Sequence, residues 1–361
     1  MKKISVIFLF MLSLTIWAQD YIEVVNIENP VVQAYLADST YYFDTNYKNS
    51  ISSKYGSRTL DYDTDWPQGK VVKWSSSTPA ELISEVRISV SENANYKDCA
   101  THNPSKLTAS SFTIRNTIPG CMYYYKVEEI LNDGDINLLT EGAFRTTGQL
   151  RMIQVRGSHN VRDLGGWPTQ YGVPIKYGRL YRSGNLDKMN SFGYHDFVEN
   201  LNVGAELDLR SESKLVHSRL GEDKDLLISG NSSYMVGLTK STSSFAKDLQ
   251  WIVARLREGK NVDWHCAIGC DRCGTLSFLI EGLLGVGEID LCRDYELSTF
   301  SKHERTRDHL NSMIKHIQTF GPADDLALCF YNYWLNIGLT QEDLNFFLHE
   351  MLGIDPSKIR R

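Results

Sequence analysis

The sequence has no excess of positive charge, and it repeats nothing. Its 38 Lys and Arg are outnumbered by 44 Asp and Glu, which leaves a formal net charge of −6 at pH 7. Because nucleic-acid binding needs a basic face that neutralises phosphates, this balance argues against a nucleic-acid partner, while a local basic pocket remains compatible with it. We find no internal repeat and no low-complexity segment, and the hydrophobic share of 42% is ordinary for a globular protein.

Long apolar runs are scarce as well. The clearest one covers residues 4–17, follows Lys2 and Lys3, and precedes Ala18. A charged start, a short apolar stretch and a small residue form the pattern of a secretory signal peptide, so we expect cleavage after residues 1–18 and an exported, periplasmic or secreted protein. The run is short for a spanning helix, with an uncleaved anchor as the alternative, and no later stretch predicts a membrane span.

The seven cysteines are an odd number, so at least one thiol has no partner within the chain. Export places a protein in a compartment that favours disulfides. Cys99 and Cys121 share the N-terminal half and are candidates for such a pair. Cys266, Cys270 and Cys273 instead cluster in one short segment.

Residues 19–148 have the pattern of an all-β domain. Short segments with alternating polar and apolar residues are separated by turns, which is typical of a β-sandwich. The predicted strands include Val71–Trp74, Glu85–Val90, Ser111–Ile114, Tyr123–Val127 and Ala143–Thr147. The stretch from Pro119 to Val127, with tyrosines at alternate positions, resembles the tyrosine-corner strand of fibronectin type III domains. This half carries no catalytic constellation, and we regard it as a candidate for contact with an unidentified protein or surface.

From residue 149 onward, strands alternate with helices. This alternation predicts an α/β domain over 149–361, with a central, mainly parallel sheet flanked by helices. Strands are expected at 177–183, 203–210 and 261–265, and helices at 192–201, 245–257, 273–284, 291–300, 308–319 and 340–352. Residues 230–247 are either a mobile lid or an ordinary connecting loop.

The most informative segment joins the third of these strands to a helix. It reads His265-Cys266-Ala267-Ile268-Gly269-Cys270-Asp271-Arg272-Cys273-Gly274. In a strand, loop and helix of this kind, inward backbone N–H groups and the positive helix end bind phosphate oxygens. Arg272 adds a planar fork that matches two of those oxygens, and the same field favours a thiolate at Cys266. Cys266 is then the nucleophile, and Ala267, Ile268, Gly269 and Cys270 line the phosphate site.

This segment resembles the loop of the cysteine-dependent protein tyrosine phosphatase superfamily. The closer resemblance is to the bacterial tyrosine and dual-specificity branch related to the secreted mycobacterial phosphatase B, whose loop reads His-Cys-x-Ala-Gly-Lys-Asp-Arg-Thr-Gly. Four further stretches match that branch in order: Asn160–Gly166, Gly178–Gly184, Leu207–Ser211 and Asp294–Ser298, with the loop between the last two.

The resemblance implies hydrolysis of phosphomonoesters through a phosphocysteine, without metal or other cofactor. Its substrates would be phosphotyrosine or another phosphorylated protein or small molecule. It also implies Asp271 as the general acid, and it places Arg182 and Asp163 near the substrate. Asp208 is expected to form a structural ion pair with Arg210.

Two residues depart from the branch and leave alternatives open. Cys270 replaces its Lys, which weakens the case for an inositol-phosphate or phosphoinositide substrate, and Cys273 replaces a hydroxyl residue that helps the cysteine sulfur leave. A catalytically weak phosphatase fold that only binds phosphate-bearing ligands is therefore the main alternative. Either cysteine is also a candidate disulfide partner of Cys266. The Cys266-x3-Cys270-x2-Cys273 spacing suits an iron–sulfur site, but the remaining chain is too short for the barrel that such enzymes need, and zinc lacks a fourth ligand.

Overall fold

A computed structural model describes residues 22–38, 69–301 and 304–355. The predicted signal peptide lies outside these ranges. Within them, no helix combines the length and the apolar character needed to cross a bilayer.

The N-terminal part is built mainly from strands. They are β1 (Glu23–Asn26), β2 (Lys70–Lys73), β3 (Ile83–Ser91), β4 (Ala100–His102), β5 (Ser111–Ile114), β6 (Met122–Leu131) and β7 (Ile136–Thr147). Five of them form a sheet in the order β1-β7-β6-β3-β4, and β2 pairs with β5 separately. Only the β1–β7 pair of that sheet is parallel. Val72 and Trp74 share one core with Ile88, Val127 and Phe144, so the strand pair packs against the sheet.

The predicted strands of this part all coincide with strands of the structure, and a turn follows β6 where it was expected. The Tyr123 hydroxyl accepts a hydrogen bond of 2.9 Å from the N–H of Ile118, a few residues upstream. A tyrosine corner contains a hydrogen bond of this kind.

One element of the N-terminal part departs from the all-β prediction. Residues Pro30–Ala37 form helix α1, which begins where the Asn29 side chain accepts a hydrogen bond of 2.8 Å from the N–H of Val31. Val32 and Tyr35 are buried in the core of the C-terminal part. The Tyr35 hydroxyl donates a buried hydrogen bond of 2.6 Å to Glu296. The helix is too short for its periodicity to stand out in the sequence, and its stability comes from this packing.

The C-terminal part has a central sheet in the order β11-β10-β12-β9-β8. Its strands are β8 (Arg162–Asp163), β9 (Leu180–Ser183), β10 (Val203–Asp208), β11 (Asp225–Ile228) and β12 (Asn261–His265). All neighbours are parallel except β8 and β9. The predicted α/β domain with a mainly parallel sheet is therefore confirmed.

Helices surround this sheet. They are α2 (Ser191–Tyr194), α3 (Tyr234–Lys240), α4 (Thr242–Arg257), α5 (Asp271–Leu283), α6 (Glu288–Glu296), α7 (Asp308–Ile317), α8 (Leu326–Asn336) and α9 (Gln341–Leu352). A π-helical turn over His195–Asn200 continues α2. As predicted, α4 buries one apolar face and the following Gly259 has a left-handed φ of 78°. The candidate lid segment contains α3 and the start of α4.

The two parts meet through specific hydrogen bonds. The Asn116 side chain accepts a hydrogen bond of 2.8 Å from the N–H of Gln154 and donates one of 3.1 Å to the carbonyl of Gln154. The Arg151 side chain donates a hydrogen bond to the backbone carbonyl of Asn116. Glu28 accepts from two consecutive N–H groups at residues 149–150, both at 2.7 Å. Two cavities of about 320 and 350 Å³ open beside this contact and do not reach the loop of residues 266–272.

All seven cysteines of the chain lie in the described ranges and are free thiols. The candidate pair Cys99 and Cys121 is thus not bonded in this structure.

Candidate active site

The Cys266 loop stands at the carboxyl end of the central strand. β12 ends at His265, residues 266–270 form the turn, and α5 begins at Asp271. In a parallel sheet, this edge is where ligands bind. Gly269 has a φ of 71°, and a Cβ there would lie 2.7 Å from the carbonyl oxygen of Ser183. Only glycine lets the loop curl this close to β9.

The carbonyl oxygens of the loop are held from behind. The side chains of Asn185, Asn160 and Arg182 each donate a hydrogen bond to one of them. The accepting carbonyls are those of Ala267 at 2.7 Å, Ile268 at 3.3 Å and Gly269 at 2.8 Å, in that order. Because the C=O and N–H of a trans peptide point in opposite directions, these bonds turn the intervening N–H groups toward the other side of the loop. That side is the predicted phosphate cradle.

Cys266 is buried and has the environment of a thiolate. The Cys273 thiol donates a hydrogen bond to its sulfur, which favours the thiolate. Burial opposes ionisation. The backbone N–H groups of Cys273 and Ile268 and the positive charge of Arg272 favour the thiolate further. Together they lower the pKa of Cys266 well below its usual value. The thiolate is the nucleophilic form of a cysteine.

His265 supports the loop from inside the sheet. It is fully buried, its Nε2 lies 2.7 Å from Glu206, and its Nδ1 lies 3.8 Å from Asp208. Burial works against the charged ring, but the bond to Glu206 and the negative charges of Glu206, Asp208 and Asp263 together outweigh it, and the pKa of His265 is raised. Asp208 also accepts 2.9 Å from Nε of Arg210, which confirms the predicted structural pair.

Arg272, the predicted clamp, lies at the first turn of α5 with its guanidinium partly exposed. It is paired with Glu212, the two bonds being 3.2 and 3.4 Å. The Glu212 side chain is 61% exposed, so this pair is weak and water-accessible. A phosphate dianion offers the same fork a stronger partner.

Arg182 does not lie on the substrate side of the loop, contrary to its predicted contact with substrate. It is fully buried, pairs with Asp294 at 2.5 Å, and donates to the Gly269 carbonyl. Arg162 joins the same carboxylate at 2.9 Å. A side chain without exposed surface cannot reach a ligand. The cluster of Arg162, Arg182 and Asp294 instead supports the loop from inside the protein, through the bond from Arg182 to the Gly269 carbonyl.

Removal of the central carboxylate should be costly for folding. In Asp294→Ala, two buried guanidinium groups lose their shared partner, and we expect the free energy of unfolding to fall by about 3–5 kcal/mol. Urea unfolding measures this loss. Asp290→Ala on the same helix is the matched control: Asp290 pairs with Arg293 at 3.0 Å where both are partly exposed, and about 1 kcal/mol or less is expected there. Equal losses in the two variants would contradict the bracing role.

Asp163 is likewise away from the loop. It is buried, pairs with Arg151 at 3.1 Å, and accepts hydrogen bonds of 2.8 and 2.7 Å from the N–H groups of Gly165 and Gly178. These contacts fix a turn behind β8 and β9. Its predicted place beside the substrate is not what the structure shows.

Asp271, the predicted general acid, is held by two side chains. Arg305 binds it with two bonds, Nε to Oδ1 at 2.6 Å and Nη2 to Oδ2 at 2.9 Å, and the Tyr234 hydroxyl donates to Oδ1. Burial raises the pKa of Asp271, but these donors outweigh it and the net pKa lies below the ordinary value. The carboxyl group is thus an anion at neutral pH, whereas a general acid must carry a proton.

The two unusual cysteines lie inside the protein. The thiol of Cys270 contacts the Ile268 carbonyl at 3.4 Å and Asn160 at 3.6 Å. Cys273 lies beneath Cys266, with its sulfur 3.6 Å from the Ser183 carbonyl. Burial raises the pKa of both thiols, so both are protonated. Neither is bonded to Cys266 in this structure.

Three residues of the site escape sequence reasoning: Glu212, Tyr234 and Arg305. Glu212 follows the Leu207–Ser211 stretch directly, which is a usable signal in retrospect. Tyr234 is the first residue of α3 and Arg305 lies in the segment before α7, and neither belongs to a stretch that matches the resembled branch. Tyr234 has a φ of 56°, a left-handed backbone conformation that is uncommon for tyrosine. Residues in such strained backbone conformations cluster at functional sites.

No curated protein matches this chain. Among solved structures, the core catalytic domain of the PP-IP phosphatase SIW14 from S. cerevisiae in complex with citrate is 17% identical with a TM-score of 0.29, covering 46% of this chain and 96% of that one. TpbA from P. aeruginosa is 17% identical with a TM-score of 0.33, at 46% and 96% coverage. A TpbA variant from P. aeruginosa in complex with pTyr is 16% identical with a TM-score of 0.32, and the match covers 44% of this chain and 90% of that one.

A sequence profile described as the tyrosine phosphatase family matches residues 153–361, more than half of the chain. The match spans the central sheet, the Cys266 loop and the helices that follow. The chain belongs to the tyrosine phosphatase family.

Proposed function

We propose that this protein hydrolyses phosphomonoesters through a phosphocysteine on Cys266, without a metal. The observation that carries the proposal is the Cys266 loop itself. Its carbonyl groups are bonded from behind, its N–H groups face the opposite side, and its cysteine has a strongly lowered pKa. Arg272 stands at the helix end with a fork that fits phosphate.

The reaction has two balanced steps. The Cys266 thiolate attacks phosphorus in line, an S–P bond forms, and the P–O bond to the alcohol or phenol breaks, with that oxygen taking a proton from solvent water. Water then attacks the phosphocysteine, the S–P bond breaks, the attacking water gives up one proton, and the thiolate and hydrogen phosphate are released. Loop N–H groups and Arg272 stabilise the charge on the three equatorial oxygens in both steps.

The finer assignment follows the resemblance of the loop and its four accompanying stretches. It points to the bacterial tyrosine and dual-specificity branch, with phosphotyrosine or another phosphorylated protein or small molecule as substrate. The N-terminal part, with its tyrosine-corner bond, is proposed as a fibronectin-III-like domain over residues 19–148. Export after cleavage of residues 1–18 completes this proposal.

A module that binds phosphate without turnover is the second candidate. Two observations favour it: Cys273 stands where a hydroxyl residue assists the leaving sulfur, and Asp271 is ionised in its pair with Arg305. The low pKa of Cys266 favours the enzyme, since binding alone has no use for a nucleophile.

The decisive experiment is hydrolysis of p-nitrophenyl phosphate by the full chain in a chelator, with and without reductant. Acid quenching and mass spectrometry follow the phosphoenzyme. Turnover with an acid-stable thiophosphate linkage on Cys266 establishes the enzyme. Phosphate binding without turnover in either condition would establish the binding module, and activity only with reductant would add control by a disulfide.

Cys273→Thr should speed the second step. A thiol is a weaker hydrogen-bond donor than a hydroxyl, so the Cys266 sulfur leaves phosphorus with less help in the natural sequence. We expect phosphoenzyme hydrolysis to become faster by about threefold to tenfold, the equivalent of roughly 1 kcal/mol, the typical worth of one hydrogen bond. Single-turnover quenching measures the rate, with Cys273→Ala as the control that cannot donate. Equal rates in the threonine and alanine variants would contradict this explanation.

A further inference from the structure

Side chains from four parts of the fold surround Asp271: α3, α6, α7 with the segment before it, and the Cys266 loop with the start of α5. Arg305 precedes α7 and forms the two-bond pair; Tyr234 begins α3 and donates to the same carboxylate. Tyr295 of α6 reaches the Tyr234 hydroxyl at 2.6 Å, and the ring of His309 from α7 stacks on Tyr234 at 5.0 Å. The neighbours of Asp271 along the chain are Cys270, whose thiol is protonated, and the cation Arg272.

The hydrogen bonds in this group have a defined direction. Burial and the bond to Asp271 raise the pKa of Tyr234, so its hydroxyl keeps its proton and acts as a donor. Arg305 is a permanent cation, with its side chain 16% exposed, while that of Asp271 is 32% exposed. Asp271 therefore accepts from every polar group that contacts it, and Arg305 is the partner that brings a full charge.

We propose that Arg305 is a positioning residue that holds Asp271 as an anion, so that Asp271 serves as the base of the second step and is not ready to act as the acid of the first. In that second step water attacks phosphorus, the S–P bond breaks, and the water proton passes to the Asp271 carboxylate. This inference rests on the proposed phosphatase activity of Cys266.

The state of Asp271 also affects which substrates the enzyme cleaves fastest. Without a ready proton donor, the first step depends on how well the leaving oxygen carries negative charge. Aryl phosphates release a phenol whose pKa is about 10, as in tyrosine, whereas alkyl phosphates release a far poorer leaving group. The resting enzyme should therefore prefer aryl phosphomonoesters such as phosphotyrosine and discriminate against alkyl ones such as phosphoserine.

Arg305→Gln is the variant that tests this role. The bonds that fix the backbone of residue 305 run to the Thr299 hydroxyl, at 2.9 Å from the Arg305 N–H and 3.1 Å to its carbonyl, so they survive the substitution. Glutamine keeps a donor but removes the charge. Arg293→Gln, which breaks an ion pair on the surface of α6, is the matched control.

The first readout is the dependence of kcat/KM on the leaving group across substituted phenyl phosphates at pH 5–7. We expect Arg305→Gln to raise the rate of phenyl phosphate relative to p-nitrophenyl phosphate by about tenfold, a fraction of the ~10²–10⁴-fold that general acids contribute. Its rate on phenyl phosphate should stay high up to a higher pH than in the natural protein. The added substitution Asp271→Asn should abolish both gains, because the proton comes from Asp271.

The second readout does not require turnover. ¹³C-carboxyl titration, with the Asp271 resonance identified by its loss in Asp271→Asn, should show a higher pKa in Arg305→Gln and no change in Arg293→Gln. If the titration moves but no variant hydrolyses phosphate esters, the proposed function fails while the control of Asp271 by Arg305 stands. If the enzyme turns over and either the titration or the leaving-group dependence is unchanged in Arg305→Gln, the inference is overturned.

Discussion

Cys266→Ser should abolish phosphatase activity and leave the fold intact. We expect kcat to fall by roughly 10⁴-fold or more, as is usual when an enzyme loses its covalent nucleophile. The loop stabilises a thiolate through the Cys273 thiol, two backbone N–H groups and Arg272, whereas a serine hydroxyl stays protonated in the same surroundings. The measurement is steady-state hydrolysis of p-nitrophenyl phosphate.

The same variant should still bind phosphate, because the carbonyl groups of the loop remain bonded to Asn160, Asn185 and Arg182. Calorimetry with inorganic phosphate measures that binding. Cys121→Ser, a half-buried thiol in the N-terminal part, is the matched control and should retain full activity. Residual turnover of Cys266→Ser close to that of the natural protein would mean that another group performs the chemistry.

Arg272→Lys should reduce kcat/KM by on the order of 10²–10³-fold, the usual effect of removing one donor to a charge that develops in the transition state. Lysine keeps the charge but presents a point donor in place of a planar fork, so the two parallel bonds to phosphate oxygens cannot form. Lysine still pairs with the exposed carboxylate of Glu212, so folding stability should change little.

Where the loss appears will separate two roles for Arg272. A clamp that tightens in the transition state lowers kcat, whereas one that only binds the substrate raises KM. The planar transition state uses both arms of the fork, so we expect most of the loss in kcat. Arg293→Lys, at a surface pair of the same domain, should behave like the natural protein, and a wild-type kcat/KM in Arg272→Lys would rule out the clamp.

Local patterns in the sequence were sufficient for much of the architecture. The strand at 261–265 and the helix after the loop are long enough, or apolar enough, to be recognised from their own residues. The alternating strands of the N-terminal half were equally visible. Helix α1 was missed because its stability depends on burying Val32 and Tyr35 in a core that lies far along the chain.

The candidate site divides in the same way. Cys266, Gly269 and Arg272 belong to one contiguous segment, so the sequence alone was enough to predict that they form one loop, and the structure shows where each one lies. Arg182 and Asp163 belong to recognisable stretches, but the sequence could not tell which side of the loop they occupy. Both are buried in ion pairs, and only the packing of β8 and β9 decides that.

The state of Asp271 is the clearest case of what sequence cannot determine. Its position beside Arg272 suggests an acid, because proximity to the reacting phosphate is a local property. Its charge instead depends on Arg305 and Tyr234, which are 34 and 37 residues away along the chain. Covalent order therefore determined which residues form the Cys266 loop, and tertiary packing decided the ionisation of the carboxylate within it, since a pKa responds to every charge and donor within a few ångströms.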